Sequence, residues 1–339
     1  MTEPHSLKVA VIGGGSIGVS FAVAFSWGGW AVSVYDPDGD RRSSVPAEIQ
    51  SKLCELGNAG LLREPILQIT QRVEIAETLA KAVCDAELVL ECAPEILELK
   101  RSLFAELDTS APPNAVLVSA FSALPASSFC TGLAGRTRCL VAHPGNPPHL
   151  IAVIELAPAP FTDTSALSRA SEIFQSIGMR PVIVRKEIEG FIFNRLQGAV
   201  LRDAYCLVRD GIASVEDIDI IVRDGLALRW SVIGPFETAD LNTRGGIESH
   251  AEKMGPSYAR MGCERGQNDP WTAELVSEVS LQRRRALPIE EWGERVRWRD
   301  RELTALIKFR KEKAALDAAQ GDAPSASTDK AGIRPKLLS

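Results

Sequence analysis

Oxidising a hydroxyl group takes a base of near-neutral pKa to receive the O–H proton, and imidazole is the side chain suited to that work. The chain has four histidines, His5, His143, His149 and His250. His143 follows the apolar run Arg138–Ala142 at the carboxyl end of a predicted strand, where doubly wound sheets bind ligands. Glu155 lies twelve residues on, in the next predicted strand. A carboxylate on the far ring nitrogen would fix the tautomer and stabilise the imidazolium. Ser122 follows the preceding strand, placed to donate to or accept from a substrate oxygen. Asn194 opens the next segment with an amide able to close over the same oxygen.

A second group of residues points to a cofactor. Val9-Ala10-Val11-Ile12 leads into Gly13-Gly14-Gly15-Ser16-Ile17-Gly18, with a helical stretch behind it. Between a first strand and a first helix this spacing marks a dinucleotide phosphate loop. Gly13 serves the tight turn, Gly15 the approach of the backbone to a pyrophosphate, and Gly18 the packing of helix on strand. Ser16 and Ile17 then bring free N–H groups and a positive dipole end to the phosphates. Asp36 ends the second strand, 18 residues past Gly18. A carboxylate there accepts from both ribose hydroxyls and repels a 2′-phosphate, which selects NAD over NADP. Arg41 and Arg42 lie beyond the strand end and read as the solvated start of a helix.

These residues need a scaffold, and the 339-residue chain is long enough for about two domains. Residues 6–189 alternate short apolar runs with helical stretches, the pattern of a Rossmann-type, doubly wound, mostly parallel α/β sheet. The runs are Lys8–Ile12, Ala31–Tyr35, Glu87–Cys92, Ala115–Ala120, Arg138–His143, Ala152–Leu156 and Pro181–Val184. Between them, residues 37–86 read as a helix-turn-helix insertion built on Glu48–Leu56 and Arg72–Val83. Residues 190–319 read as an all-helical domain, including Phe191–Arg209, Val215–Arg223, Trp271–Arg283 and Ile289–Ala319. Residues 320–339 read as a disordered tail. The Arg283-Arg284-Arg285 run reads as a solvated helix face.

Composition narrows the class of function. Acidic residues outnumber basic ones by 44 to 38, a net charge of -6. That sign argues against nucleic acid or an anionic membrane as partner. Seven scattered cysteines with no C-x-x-C pair fit buried, reduced thiols, and no metal is expected. The N-terminal residues lack the apolar core of a secretory signal, and no apolar run approaches the length of a membrane span. The expectation is a soluble cytoplasmic protein.

Ser122, His143-Pro144-Gly145-Asn146-Pro147, Glu155 and Gly190-Phe191-Ile192-Phe193-Asn194-Arg195 resemble the Ser/His/Glu/Asn set of the 3-hydroxyacyl-CoA dehydrogenase superfamily. Cys92-Ala93-Pro94-Glu95, Leu99-Lys100 and Gly234-Pro235-Phe236-Glu237 add to the match. Within it, His143–Glu155, Gly190–Gln197, Gly225–Leu241 and Trp298-Arg299-Asp300 are most similar to the lambda-crystallin/L-gulonate 3-dehydrogenase branch. The resemblance implies oxidation of an L-3-hydroxy acid by NAD, with His143 as base and Glu155 orienting it. Ser122 and Asn194 would bind the reacting oxygen. Glu95 and Lys100 would reach the nicotinamide ribose, with Asn146 near the cofactor. It also implies a homodimer through the helical domain. Arg229, in the segment before Gly234 that resembles the gulonate branch, is expected to bind a substrate C1 carboxylate.

The sequence departs from the branch at three places: Phe121 beside Ser122, Gly145 and His149. Together they suggest a less polar or differently shaped substrate than gulonate. Two other functions are to be weighed, a 3-hydroxyacyl-CoA dehydrogenase and a noncatalytic crystallin-like protein. A CoA enzyme should present basic residues on the insertion, which carries Arg41, Arg42, Lys52, Arg63, Arg72 and Lys81 among acidic neighbours.

Overall fold

The computed structural model describes residues 7–265 apart from 232 and 245, residues 274 and 285, and residues 288–320. Of the expected tail at 320–339, Gln320 instead ends the last helix and residues 321–339 lie outside the described residues, as do His5 and most of the expected helix Trp271–Arg283 and of the triple-arginine run.

The first half is one eight-stranded sheet. Its elements are β1 (Lys8–Ile12), α1 (Ser16–Trp27), β2 (Ala31–Tyr35), α2 (Gly39–Asn58), α3 (Ile66–Thr70), β3 (Val73–Ile75), α4 (Leu79–Val83) and β4 (Leu88–Glu91). They continue with α5 (Leu97–Ser110), β5 (Val116–Ser119), α6 (Ser127–Cys130), β6 (Cys139–Pro144), β7 (Val153–Pro158), α7 (Thr164–Ser176) and β8 (Arg180–Ile183). The strand order is β3-β2-β1-β4-β5-β6-β7-β8, parallel except between β6 and β7. Alternate residues of each strand feed two cores. Val9, Val11, Leu88, Leu90, Val116 and Val118 join one with α1, α2 and α7, while Ala10, Ile12, Val89 and Leu117 join the other with α4, α5 and α6. Burial on both faces is why these strands read as continuous apolar runs.

Two sequence expectations need correction. Arg72–Val83 is not one helix: Val73–Ile75 pairs with Val32–Val34 as the edge strand β3, and only Leu79–Val83 is helical. A three-residue strand carries too little pattern to announce itself, and pairing to β2 decided it. The insertion is therefore a helical excursion, opened by Asp38 capping α2, that returns to the sheet. The cysteines are all free, as expected, but Cys84 and Cys263 are exposed.

Helices α8 (Phe193–Arg209), α9 (Val215–Ile220), α10 (Ala227–Trp230), α11 (Pro235–Asn242), α12 (Gly246–Arg265) and α13 (Trp292–Gln320) follow, with a π-helical stretch, Ile221–Leu226, between α9 and α10. The α13 helix leans back on the sheet domain, where Leu303 and Ile307 pack on its core and the Lys311 ammonium lies 4.9 Å from the Trp27 ring centroid. Among the described residues no helix is long and apolar enough to cross a membrane.

The aromatic cluster under the sheet is the natural stability test. Phe174 packs against Phe21 and Phe25 at centroid distances of 6.3 and 5.8 Å and is fully buried. Phe174→Ala should lower unfolding stability by about 3–5 kcal/mol, read from urea denaturation. A loss below about 1 kcal/mol would show that α7 is not held by this cluster.

Candidate active site

The loop between β6 and β7 is too short for a crossover, so the two strands must run antiparallel. Their register sets His143 opposite Glu155, side chains on one face. The contact follows directly: His143 Nδ1 and Glu155 Oε2 are 2.8 Å apart, and both residues are buried. A carboxylate at Nδ1 keeps that nitrogen protonated and leaves Nε2 its lone pair, which is what a base requires. Glu155 lies in the next strand as expected; its pairing with β6 is antiparallel.

The same carboxylate holds the helical domain. Glu155 Oε1 accepts from the N–H groups of Ile192 (2.7 Å) and Phe193 (3.0 Å), which open α8. A negative charge is stabilised there by the unpaired N–H groups and the helix dipole. Just before them the backbone bends sharply, with Gly190 at φ 74° and Phe191 at φ 49°. For a phenylalanine that region costs about 1–3 kcal/mol. Phe191 tolerates it because its ring is fully buried, 5.6 Å from the His143 ring.

A cavity of about 340 Å³ opens over the pair. Its wall includes His143, Ser122, Asn194, Glu95, Asn146, Lys100 and Ile17, so seven of the expected site residues converge on one volume. Asn194 Nδ2 donates to the Ser122 carbonyl oxygen at 2.8 Å, and the Ser122 N–H donates to Glu95 at 2.9 Å. Phe121 also lines the cavity and is buried. Gly145 fits because a Cβ there would sit 2.4 Å from Ile151 Cγ2. His149 is buried but is not among the residues around this cavity, and Arg229 is exposed on α10, also outside it. Gln197 does line the cavity, one helical turn past Asn194. Sequence reading missed it, although its i, i+3 spacing from Asn194 was a usable signal.

A second cavity, about 620 Å³, runs along the glycine loop past Asp36. Gly13 has φ 110°, which only glycine adopts without strain, and a Cβ on Gly18 would lie 1.9 Å from the Gly13 oxygen. A Cβ on Gly15 would meet nothing within 4 Å, so open space lies over the backbone beside the start of α1. That is room for a pyrophosphate. Asp36 accepts from Gly14 N–H (2.8 Å) and Asp38 N–H (3.0 Å), which aim its carboxylate and leave lone pairs for ribose hydroxyls. The two cavities share Ile17, Cys92 and Ala93. Burial pushes the Cys92 thiol up, so it is a wall and not a nucleophile.

Arg41 is more than a solvated helix start. Its guanidinium forms a fork on Glu48 and donates to the Gly14 oxygen at 2.6 Å. The Arg41 hydrogen bond holds the Glu48 carboxyl below its usual range. The pair therefore persists at neutral pH and is lost only as pH falls through that lowered value. Arg42 donates to the Asp36 carbonyl at 2.6 Å. Arg41 is thus engaged by Glu48 and the glycine loop, and Arg42 by the backbone through Nη1. Among the described residues, no three His, Cys, Asp or Glu side chains come together to hold a metal.

The profile of the 3-hydroxyacyl-CoA dehydrogenase NAD-binding domain matches residues 8–188, and that of the 3-hydroxyacyl-CoA dehydrogenase C-terminal domain matches residues 190–291. Lambda-crystallin of Oryctolagus cuniculus is 35% identical over 316 residues, 92% of this chain and 99% of its own length. L-carnitine dehydrogenase of Streptomyces coelicolor is 36% identical over 281 residues, 82% of this chain and 85% of its own. A solved FHMPC 5-dehydrogenase, an NAD+-dependent dismutase, superposes with a TM-score of 0.77 over 89% of this chain and 97% of its own. At 24% identity that is a likeness of fold.

The geometry predicts two mutational outcomes. His143→Gln should lower kcat by about 10²–10⁴, and Glu155→Gln should lower it by about 100-fold while loosening α8 from the sheet; stopped-flow absorbance and amide exchange at residues 190–195 read the two effects. Wild-type kcat beside an intact Glu155→Gln variant would refute the pairing. Asp36→Ala should shrink the preference for NAD over NADP by about tenfold, and adding Glu48→Gln, which frees Arg41, should shrink it further. Titration of both cofactors into each variant checks this.

Proposed function

The chain belongs to the 3-hydroxyacyl-CoA dehydrogenase family, and on that premise we propose that this NAD-dependent dehydrogenase oxidises a short, free L-3-hydroxy acid to the 3-keto acid, with His143 as general base. The observation that carries the reading is the buried His143–Glu155 pair under a cavity of about 340 Å³, next to the glycine-loop cavity. That volume suits a small acid.

NAD, when bound, accepts hydride from the substrate carbon. The glycine loop and the start of α1 would hold its pyrophosphate, Asp36 its adenosine ribose, and Glu95 and Asn146 its nicotinamide side. His143 Nε2 takes the hydroxyl proton while Glu155 holds Nδ1–H and balances the imidazolium charge. Ser122 and Asn194 orient the reacting oxygen. Gln197, one turn beyond Asn194, offers an amide to the acid end of the substrate. Arg229 stands outside the cavity of its own chain, so a role at the C1 carboxylate requires domain closure or a second copy.

The runner-up reading, a 3-hydroxyacyl-CoA substrate, needs free cations on the helical excursion. Of the six basic residues there, Arg41, Arg72 and Lys81 are each tied to a glutamate: Glu48, Glu64 and Glu77. The hydrogen bonds to these bases hold the three carboxyls below their usual range. With half of these cations so engaged, the small cavity over His143 is what favours the free acid. The protein is further proposed to be a homodimer, because α8, α11 and the segment between α9 and α10 expose Leu196, Ile221, Phe236 and Leu241. A cytoplasmic setting suits seven free thiols.

Absorbance of NADH should be followed with L-gulonate, L-3-hydroxybutyrate, L-carnitine and 3-hydroxybutyryl-CoA. The expected result is a kcat/KM for at least one free acid about tenfold or more above that for the thioester. Turnover of the thioester alone would move the pocket to the CoA class.

A further inference from the structure

Glu91 ends β4 and Lys100 lies in the first turn of α5, and both side chains are buried almost completely, with relative exposures of 0% and 2%. The Lys100 ammonium lies 2.7 Å from each Glu91 oxygen and 3.1 Å from the Ala93 carbonyl. Those three acceptors match its three hydrogens. The ring of Phe121 lies 4.9 Å from the same nitrogen.

Glu91 does more than neutralise a lysine. Its Oε1 accepts from the Ala93 N–H at 2.6 Å, and its Oε2 accepts from Ser119 Oγ at 2.6 Å. Ser119 Oγ in turn accepts from the Phe121 N–H at 3.3 Å. One carboxylate thus ties the loop after β4, which carries Glu95, to the loop after β5, which carries Phe121 and Ser122. Glu95 closes the ring by accepting from the Ser122 N–H. Both loops are walls of the cavity over His143. A buried, fully donor-satisfied carboxylate is a rigid anchor, since releasing any one partner leaves a charge or dipole unpaired in a dry site.

We propose that Glu91 is a positioning residue that locks the two oxygen-binding loops, with Lys100 as its buried counter-ion. This rests on the reading of Ser122 and Glu95 as substrate- and cofactor-side residues. Lys100, which matches a family cofactor position in sequence, also lines the cavity over His143. The function of the pair is to hold Ser122 where the reacting oxygen will be, with the adenosine end of the cofactor site left untouched.

Three variants test it: Glu91→Gln, Lys100→Met and the double Glu91→Gln/Lys100→Met. Each is measured for NAD binding by calorimetry, for kcat and KM, and for hydrogen–deuterium exchange in peptides spanning residues 92–96 and 119–124. Glu91→Gln should speed exchange in both peptides about tenfold without changing it across residues 13–18. NAD affinity should stay within about threefold, while kcat falls about 30-fold at nearly constant KM. Lys100→Met strands the Glu91 charge, so the double variant should recover about threefold in kcat over it. A Glu91→Gln enzyme whose two loop peptides exchange at the wild-type rate would overturn the proposal. So would a Glu91→Gln enzyme that melts earlier but keeps its kcat, since that is a scaffold effect only. Should Glu91→Gln fail to fold, Glu91→Asp, which keeps the charge and withdraws it by one methylene, carries the same readouts. If no substrate in the panel is turned over by the wild type, the exchange and calorimetry arms still decide the positioning claim, and the substrate reading fails by itself.

Discussion

A carboxylate buried between two domains is costly unless donors surround it, and Glu155 is surrounded by three: the His143 ring and the two backbone N–H groups that open α8. The catalytic geometry and the domain junction are therefore the same set of hydrogen bonds. Moving α8 away from the sheet would strip two donors from Glu155 and weaken its hold on His143. The strained Gly190-Phe191 bend is maintained by this arrangement, since Phe191 is buried beside the imidazole while the next two amides are captured. Asn194, one turn along, is then delivered to Ser122.

The cofactor side follows a related logic with different charges. Arg41 and Arg42 lie next to Asp36, the residue proposed to choose the cofactor, yet both donate inward, to Glu48, to the Gly14 carbonyl and to the Asp36 carbonyl. Their charge braces the loop that it could otherwise have re-specified for a phosphorylated ribose. Pairing is again the device along the helical excursion, where Arg72 and Lys81 are held by glutamates. Cations counted from composition are not cations available to a ligand.

Much of this was legible in the chain. The glycine spacing, the acidic residue after β2 and the run of buried strands follow from local rules: turn dihedrals, close helix packing, and two-faced burial. Ser122, His143, Glu155 and Asn194, the proposed catalytic set, were readable from their positions in and after the strands and from a resemblance to a known family. The edge strand β3 was not, because three residues paired on one side carry almost no periodic signal. Glu91 and Ser119 were also missed. Each looks like an ordinary strand-end residue until α5 folds back and brings Lys100 to them. Arg229, chosen for the chemistry of its side chain, lies on an exposed turn outside the cavity, because side-chain type says nothing about which way a helix faces.

The sequence by itself determined the doubly wound sheet and the phosphate loop, and it singled out the proposed base, His143, and its partner Glu155, since backbone dihedrals and side-chain chemistry act over a few residues. Only the tertiary structure decided that β6 and β7 run antiparallel with His143 opposite Glu155, that Glu155 also clasps the helical domain, and which of the many charges are spent on one another. Those outcomes depend on groups far apart in the chain meeting in a low-dielectric interior. There, an unpaired charge costs more than any local preference can offset.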